Sequence, residues 1–130
     1  MIHDVILPPV EHILKIHEDL IDTYGGAPGV RDAKGVESAL SRAEHQVSYA
    51  DNPSIFDIAA YVAQGISQNH PFVDGNKRVA FDTTYTILAI NGYNLDVSEH
   101  KAFEVTMAMV TKEISVEEYS AWLADNSFEE

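Results

Sequence analysis

His70-Pro71-Phe72-Val73-Asp74-Gly75-Asn76-Lys77-Arg78 places a histidine, a carboxylate, a glycine, an amide and two cations within nine residues. Apolar residues on both sides recur at helical spacing, so the stretch falls between two helices. Pro71 cannot continue the first helix and pushes His70 out of helical geometry. The second begins near Asn76, and a helix N-terminus presents unpaired N–H groups and the positive end of its dipole to an anion. Gly75 allows a tight turn and a close approach of backbone to ligand. Asn76 offers an amide to a phosphate oxygen, and Lys77 and Arg78 supply charge, the guanidinium in a two-pronged grip. Asp74 is a hard oxygen ligand of the kind Mg²⁺ takes alongside substrate phosphates. His70, four residues upstream, is a candidate general base. A phosphate cradle, a metal ligand and a base are what phosphoryl or nucleotidyl transfer needs.

Residues 8–24 form an amphipathic pattern, with Val10, Ile13, Leu14, His17, Leu20, Ile21 and Tyr24 at helical spacing and Pro8-Pro9 suited to the first turn. Gly25-Gly26 ends it, and Ala27 to Asp32 is a turn-rich loop with the makings of a small hairpin. A second helix is predicted over 34–45, with a break at Asp51 to Pro53. Ser54 looks like an N-cap with Asp57 at capping-box spacing, opening a helix that runs towards Asn69. The helix after Asn76 ends at Asn91-Gly92. Its only charge between Val79 and Ile90 is Asp82, which predicts a buried central helix. Two more follow, over 98–112 and from Ser115, with Glu118 again at capping-box spacing. Ile2 to Leu7 is the only candidate strand. The expected fold is all-α, about six helices around a buried central one, in a single domain spanning 1–130.

Composition narrows the function. A 45% hydrophobic content and a mean hydropathy of −0.13 suit a soluble globular domain. No apolar run approaches the roughly 20 residues that span a bilayer, and acids at Asp4 and Glu11 with no basic stretch do not make a signal peptide. The absence of cysteine excludes disulfides and thiolate metal sites, which suits the cytoplasm. A net charge of −13 argues against nucleic-acid binding, because a polyanion would be repelled over most of the surface. Lys77 and Arg78, two of only eight basic residues, make a small cationic spot suited to a compact phosphorylated ligand.

The nine residues resemble the signature of the Fic/Doc family, HPFx(D/E)GN(G/K)R, at every specified position. Tyr24-Gly25-Gly26, Gly29-Val30-Arg31-Asp32 and Gly35-Val36-Glu37-Ser38-Ala39-Leu40 are similar to the N-terminal half of its Doc toxins. The resemblance implies a Fic-type helical bundle that uses ATP and Mg²⁺. It implies His70 as the base that deprotonates a target hydroxyl, Asp74 as the metal ligand and Arg78 as the partner of the phosphate chain. Gly75 and Asn76 would contact the nucleotide phosphates. Pro28, Gly29, Val30, Arg31 and Asp32 would form a flap that aligns the target segment as an added strand.

Lys77 stands where AMP-transferring Fic enzymes carry glycine, a departure that fits the Doc type. Doc resemblance implies γ-phosphate transfer to a Ser/Thr hydroxyl of a translation factor, elongation factor Tu, arresting translation. Gly75 matches the AMP-transferring members, so AMP transfer by the same site stays open, as does an inactive binding module. No Ser or Thr has Glu four residues later, so the (S/T)xxxE(G/N) self-inhibitory motif is absent and an antitoxin supplied in trans is expected. His3, His12, His17, His45 and His100 match no metal-ligand spacing and read as surface or helix-face residues. Asp82, four residues from Arg78, reads as an ordinary helical ion-pair partner.

Overall fold

The computed structural model describes residues 5–48 and 54–130. Within them the chain forms α1 (Val10–Tyr24), α2 (Lys34–Ser48), α3 (Ile55–Asn69), α4 (Asn76–Ile90), β1 (Tyr93–Leu95), α5 (Glu99–Val110), α6 (Val116–Asp125) and β2 (Ser127–Glu129). Serines start three of the helices. Ser54, Ser98 and Ser115 accept hydrogen bonds from the N–H groups of Asp57, Lys101 and Glu118, satisfying donors that the first turn leaves orphaned. At Ser115 the Glu118 side chain closes the reciprocal capping box. Pro9 is the extended residue that precedes α1, whose first turn it was expected to occupy.

Helices α3 and α4 form the centre together. The former packs on α2, α4, α5 and α6, and the latter on α1, α3, α5 and β1. The central role expected for residues 76–91 alone is therefore shared, because α3 is lined with small residues that let neighbours close in on both sides. Ala59, Ala60, Ala63 and Gly65 are all buried there. A methyl added at Gly65 would lie 2.7 Å from the Ala39 Cβ and 3.0 Å from its Cα. Gly65→Ala is thus expected to push α2 from α3. The overpacking cost of about 1–3 kcal/mol exceeds the helix-propensity gain of up to about 1 kcal/mol. A melting temperature lowered by a few degrees would show it.

A buried polar network ties α4, α5 and α6 together. Thr106 and Thr84 donate to the carbonyls of Ala102 and Ala80, so the Tyr119 hydroxyl donates to Thr106 Oγ1 at 2.7 Å, with Thr84 Oγ1 at 3.4 Å. Burial pushes the Tyr119 hydroxyl's pKa up, which keeps it protonated and available as that donor. The network fixes α5 against α4, and this places Phe103 and Met107 beside the start of α4.

Two short elements were not foreseen. Strands β1 and β2 pair antiparallel with Tyr93 opposite Glu129. Each has three residues, too few for an alternating pattern to be visible in the sequence. Of the strand expected at 2–7, residues 2–4 lie outside the described residues, as does the break at 51–53. Residues 5–7 are unpaired, and Ile6 bonds through its backbone to the Asn91 side chain.

Candidate active site

The loop between α3 and α4 is held in shape by its own side chains. His70 adopts the left-handed conformation (φ 49°, ψ 56°), unusual for a residue other than glycine but common at the residue that ends a helix, which Pro71 prevents from continuing. Its N–H still closes on the Ile66 carbonyl, and its own carbonyl accepts from Arg31 Nη2 at 3.0 Å. Gly75, at φ 83°, makes the second sharp turn and caps α4 without a side chain. The first N–H groups of α4 therefore have no capping oxygen, the condition for receiving an anion.

Around these N–H groups lies an open cleft of about 420 Å³, lined by His70, Asp74, Gly75, Asn76, Lys77 and Arg78 and walled by Phe103 and Met107 of α5. His70 is exposed, so its imidazole is accessible to substrate. Lys77 is exposed at the rim and has no carboxylate partner among the described residues. Larger hollows along α2 and between α3 and the start of α6 contain none of the signature residues.

Asp74 fastens the loop to the segment after α1. Oδ2 accepts from the Ala27 N–H at 3.1 Å and Oδ1 from the Gly75 N–H at 2.9 Å. A methyl at Gly26 would fall 2.8 Å from Oδ2, so glycine is what allows this approach. Both oxygens keep unused lone pairs. Among the described residues no three His, Cys, Asp or Glu gather into an all-protein metal site. A single carboxylate beside the uncapped start of α4 has the chemistry that suits Mg²⁺, which takes one or two carboxylates and completes its shell with other oxygens.

Arg78 is more engaged than its place in the motif suggested. Nη2 lies 2.7 Å from Glu99 Oε1 at the start of α5, and Nε lies 3.3 Å from Asp82 Oδ1, an ion pair not aligned as a hydrogen bond. The guanidinium also sits 5.1–5.4 Å from the ring centres of Tyr24, Phe81 and Phe103. The Asp82 reading holds, while the Glu99 pair joins residues 21 apart that no local spacing could reveal. Burial raises the pKa of the Asp82 carboxyl, and the Arg78 charge opposes that rise.

Two other residues differ from expectation. The Asn76 side chain was expected to meet phosphate, but it clamps the loop: Oδ1 accepts from the Phe72 N–H at 3.0 Å and Nδ2 donates to the Phe72 carbonyl at 2.9 Å. What it leaves for a ligand is its backbone N–H and one amide hydrogen. His17, read as a surface or helix-face residue, is only 3% exposed, stacks on Phe72 at 4.0 Å and donates through Nε2 to the Asp74 carbonyl. Its one signal in the sequence was its place in the apolar stripe of α1.

Residues 28–32 do not fold back as a hairpin. Val30 forms an isolated antiparallel bridge with Phe72, Val73 N–H donates to the Gly29 carbonyl, and the N–H groups of Arg31 and Asp32 share the Pro71 carbonyl. Asp32 also accepts from the Lys34 N–H, starting α2. The segment is thus an exposed strip fastened to the signature loop through a single bridge.

The family model described as "Fic/DOC family" matches residues 7–88. The chain is 31% identical over 106 residues to "Protein kinase doc" of Escherichia phage P1, covering 82% of this chain and 83% of that one. It is 34% identical over 104 residues to "Toxin Doc" of Mycolicibacterium smegmatis, covering 78% and 80%. Among solved structures, the BepC protein of Bartonella tribocorum, a VirB-translocated effector crystallised with bound AMPPNP, superposes with a TM-score of 0.56 at 13% identity. That match covers 96% of this chain and 79% of that one, and it shows the helical fold.

Proposed function

The chain belongs to the Fic/DOC family, and from that premise we propose that it is a Doc-like toxin, a kinase that moves the γ-phosphate of ATP to a Ser or Thr hydroxyl of a translation factor in the cytoplasm. One observation carries this reading: His70, Asp74 and Arg78 line a single cleft at the uncapped start of α4. The His70 imidazole takes the proton of the target hydroxyl as its oxygen bonds to the γ-phosphorus. The bond from that phosphorus to the bridging oxygen breaks, ADP leaves, and His70 returns its proton to solvent. Arg78, Lys77 and the first N–H groups of α4 bind and orient the phosphates. Asp74 would hold Mg²⁺, which when bound neutralises phosphate charge. The 28–32 strip, with its inner edge on the signature loop, would receive the target segment along its outer edge.

Incubation with a cell extract and ATP labelled at the α or the γ phosphate tests this. Label transferred only from γ supports the kinase. Transfer only from α makes the protein an AMP-transferase, and transfer from neither leaves a binding module.

A triphosphate at Arg78 must compete with Glu99, which is 66% exposed and so held loosely. Glu99→Gln is expected to tighten ATP binding by about 1.4- to fivefold, the equivalent of the roughly 0.2–1 kcal/mol of an exposed ion pair. An unchanged dissociation constant in titration calorimetry would show that no competition exists. So slight a restraint, together with the missing self-inhibitory motif, supports an antitoxin supplied in trans as the true inhibitor.

A further inference from the structure

We propose that His17 is a positioning residue that fixes the Asp74–Gly75 peptide so that the Gly75 N–H holds the Asp74 carboxylate at the cleft; the inference rests on the reading of the cleft as a phosphate site. His17 projects from α1, outside the signature, and does not line the cleft. It is nevertheless buried directly beneath the loop, stacked on Phe72 with the rings 8° from parallel. A backbone carbonyl can only accept, so the 2.8 Å contact between Nε2 and the Asp74 oxygen is a bond donated by the ring.

That bond decides which way one peptide unit faces. The peptide between Asp74 and Gly75 is trans and planar, so its carbonyl and its N–H point in opposite directions. With the carbonyl drawn inward to His17, the N–H must face outward, where the exposed Asp74 carboxylate meets it at 2.9 Å. Gly75 is the least restrained residue at which to hold such an orientation, since its φ of 83° lies where glycine moves freely. Its missing side chain also lies against α1: an added methyl would meet Leu20, His17 and Ile21 at 3.4–3.7 Å. Without the His17 donor, the part-buried Asp74 carbonyl would lose its partner, and rotation of this peptide towards solvent would relieve it. Rotation would break the bond from the Gly75 N–H to the Asp74 carboxylate and free that carboxylate to move.

Two variants separate aim from packing. His17→Phe keeps a flat ring on Phe72 and removes the donor, whereas His17→Gln restores a donor of similar reach. Residual dipolar couplings of the Gly75 N–H, measured by NMR on the free protein, report the orientation of this bond without nucleotide or activity. The coupling should change in His17→Phe and stay near wild type in His17→Gln, with couplings in α3 and α5 unchanged in both. An unchanged Gly75 coupling in a folded His17→Phe protein overturns the proposal, as does an equal change in both variants.

Binding of AMPPNP with Mg²⁺ supplies the second readout. It should weaken about tenfold or more in His17→Phe and by less than about threefold in His17→Gln, one hydrogen bond to a charged group being worth about that factor. Equal affinity in all three proteins also overturns the proposal. Should wild-type protein transfer neither label, the kinase reading fails, yet the dipolar couplings still decide the role of His17.

Discussion

His70→Ala is expected to cut phosphate transfer by about 10²–10⁴-fold, the usual contribution of a positioned base, while leaving the melting temperature nearly unchanged. The two outcomes separate because of where the residue sits. Its side chain is exposed at the cleft, and the contacts that shape the loop are made by its backbone, to Ile66 and to Arg31. Alanine keeps both backbone bonds. It tolerates the left-handed conformation no better than histidine does, so a small stability loss is the most that follows. Affinity for AMPPNP should persist, since the phosphates are held by other groups. A variant that still transfers phosphate at the wild-type rate would remove His70 from the chemistry.

Arg78→Ala should weaken ATP binding more than 100-fold, because a two-pronged grip on phosphate comprises hydrogen bonds of about 1.5–3 kcal/mol each. Arg78→Lys should recover only part of this, since an ammonium cannot reproduce the fork or lie flat among Tyr24, Phe81 and Phe103. The alanine variant also carries a signature in stability. Asp82 is half-buried, and burial already raises its folded-state pKa above the ordinary value despite the Arg78 charge. Between those two values the folded protein binds more protons than the unfolded one, so stability falls as pH rises through that window. Removing Arg78 removes the opposing charge and lifts the upper limit of the window. Melting curves from mildly acidic to neutral pH should therefore fall more steeply for Arg78→Ala than for wild type. Parallel curves would mean that the two side chains do not communicate.

Much of this arrangement is visible in the chain because it is local. Helix starts at Ser54, Ser98 and Ser115 depend on bonds three residues long, and the turn into α4 depends on Pro71 and Gly75, whose backbone limits hold in any context. The ion pair of Arg78 with Asp82 follows from helical spacing. What escaped the sequence joins distant segments. Glu99 reaches Arg78 across 21 residues, His17 reaches the Asp74 carbonyl across 57, and the Asp74 carboxylate takes an N–H 47 residues away. The Asn76 clamp escaped for a different reason: an amide can serve a ligand or its own loop equally well, and only the position of the Phe72 backbone chooses.

The order of residues alone determined that helices would meet at a proline–glycine turn, with an imidazole, a carboxylate and a guanidinium spaced along it. Backbone sterics and charge dictate that much over a few residues. Tertiary packing decided which of these groups face the cleft and which are occupied. It turned one histidine outward and buried another beneath the loop, gave the asparagine to the backbone, and brought α5 in as a wall. Those outcomes depend on the close approach of α1, α3, α4 and α5, and no short-range rule encodes where separate helices come to rest.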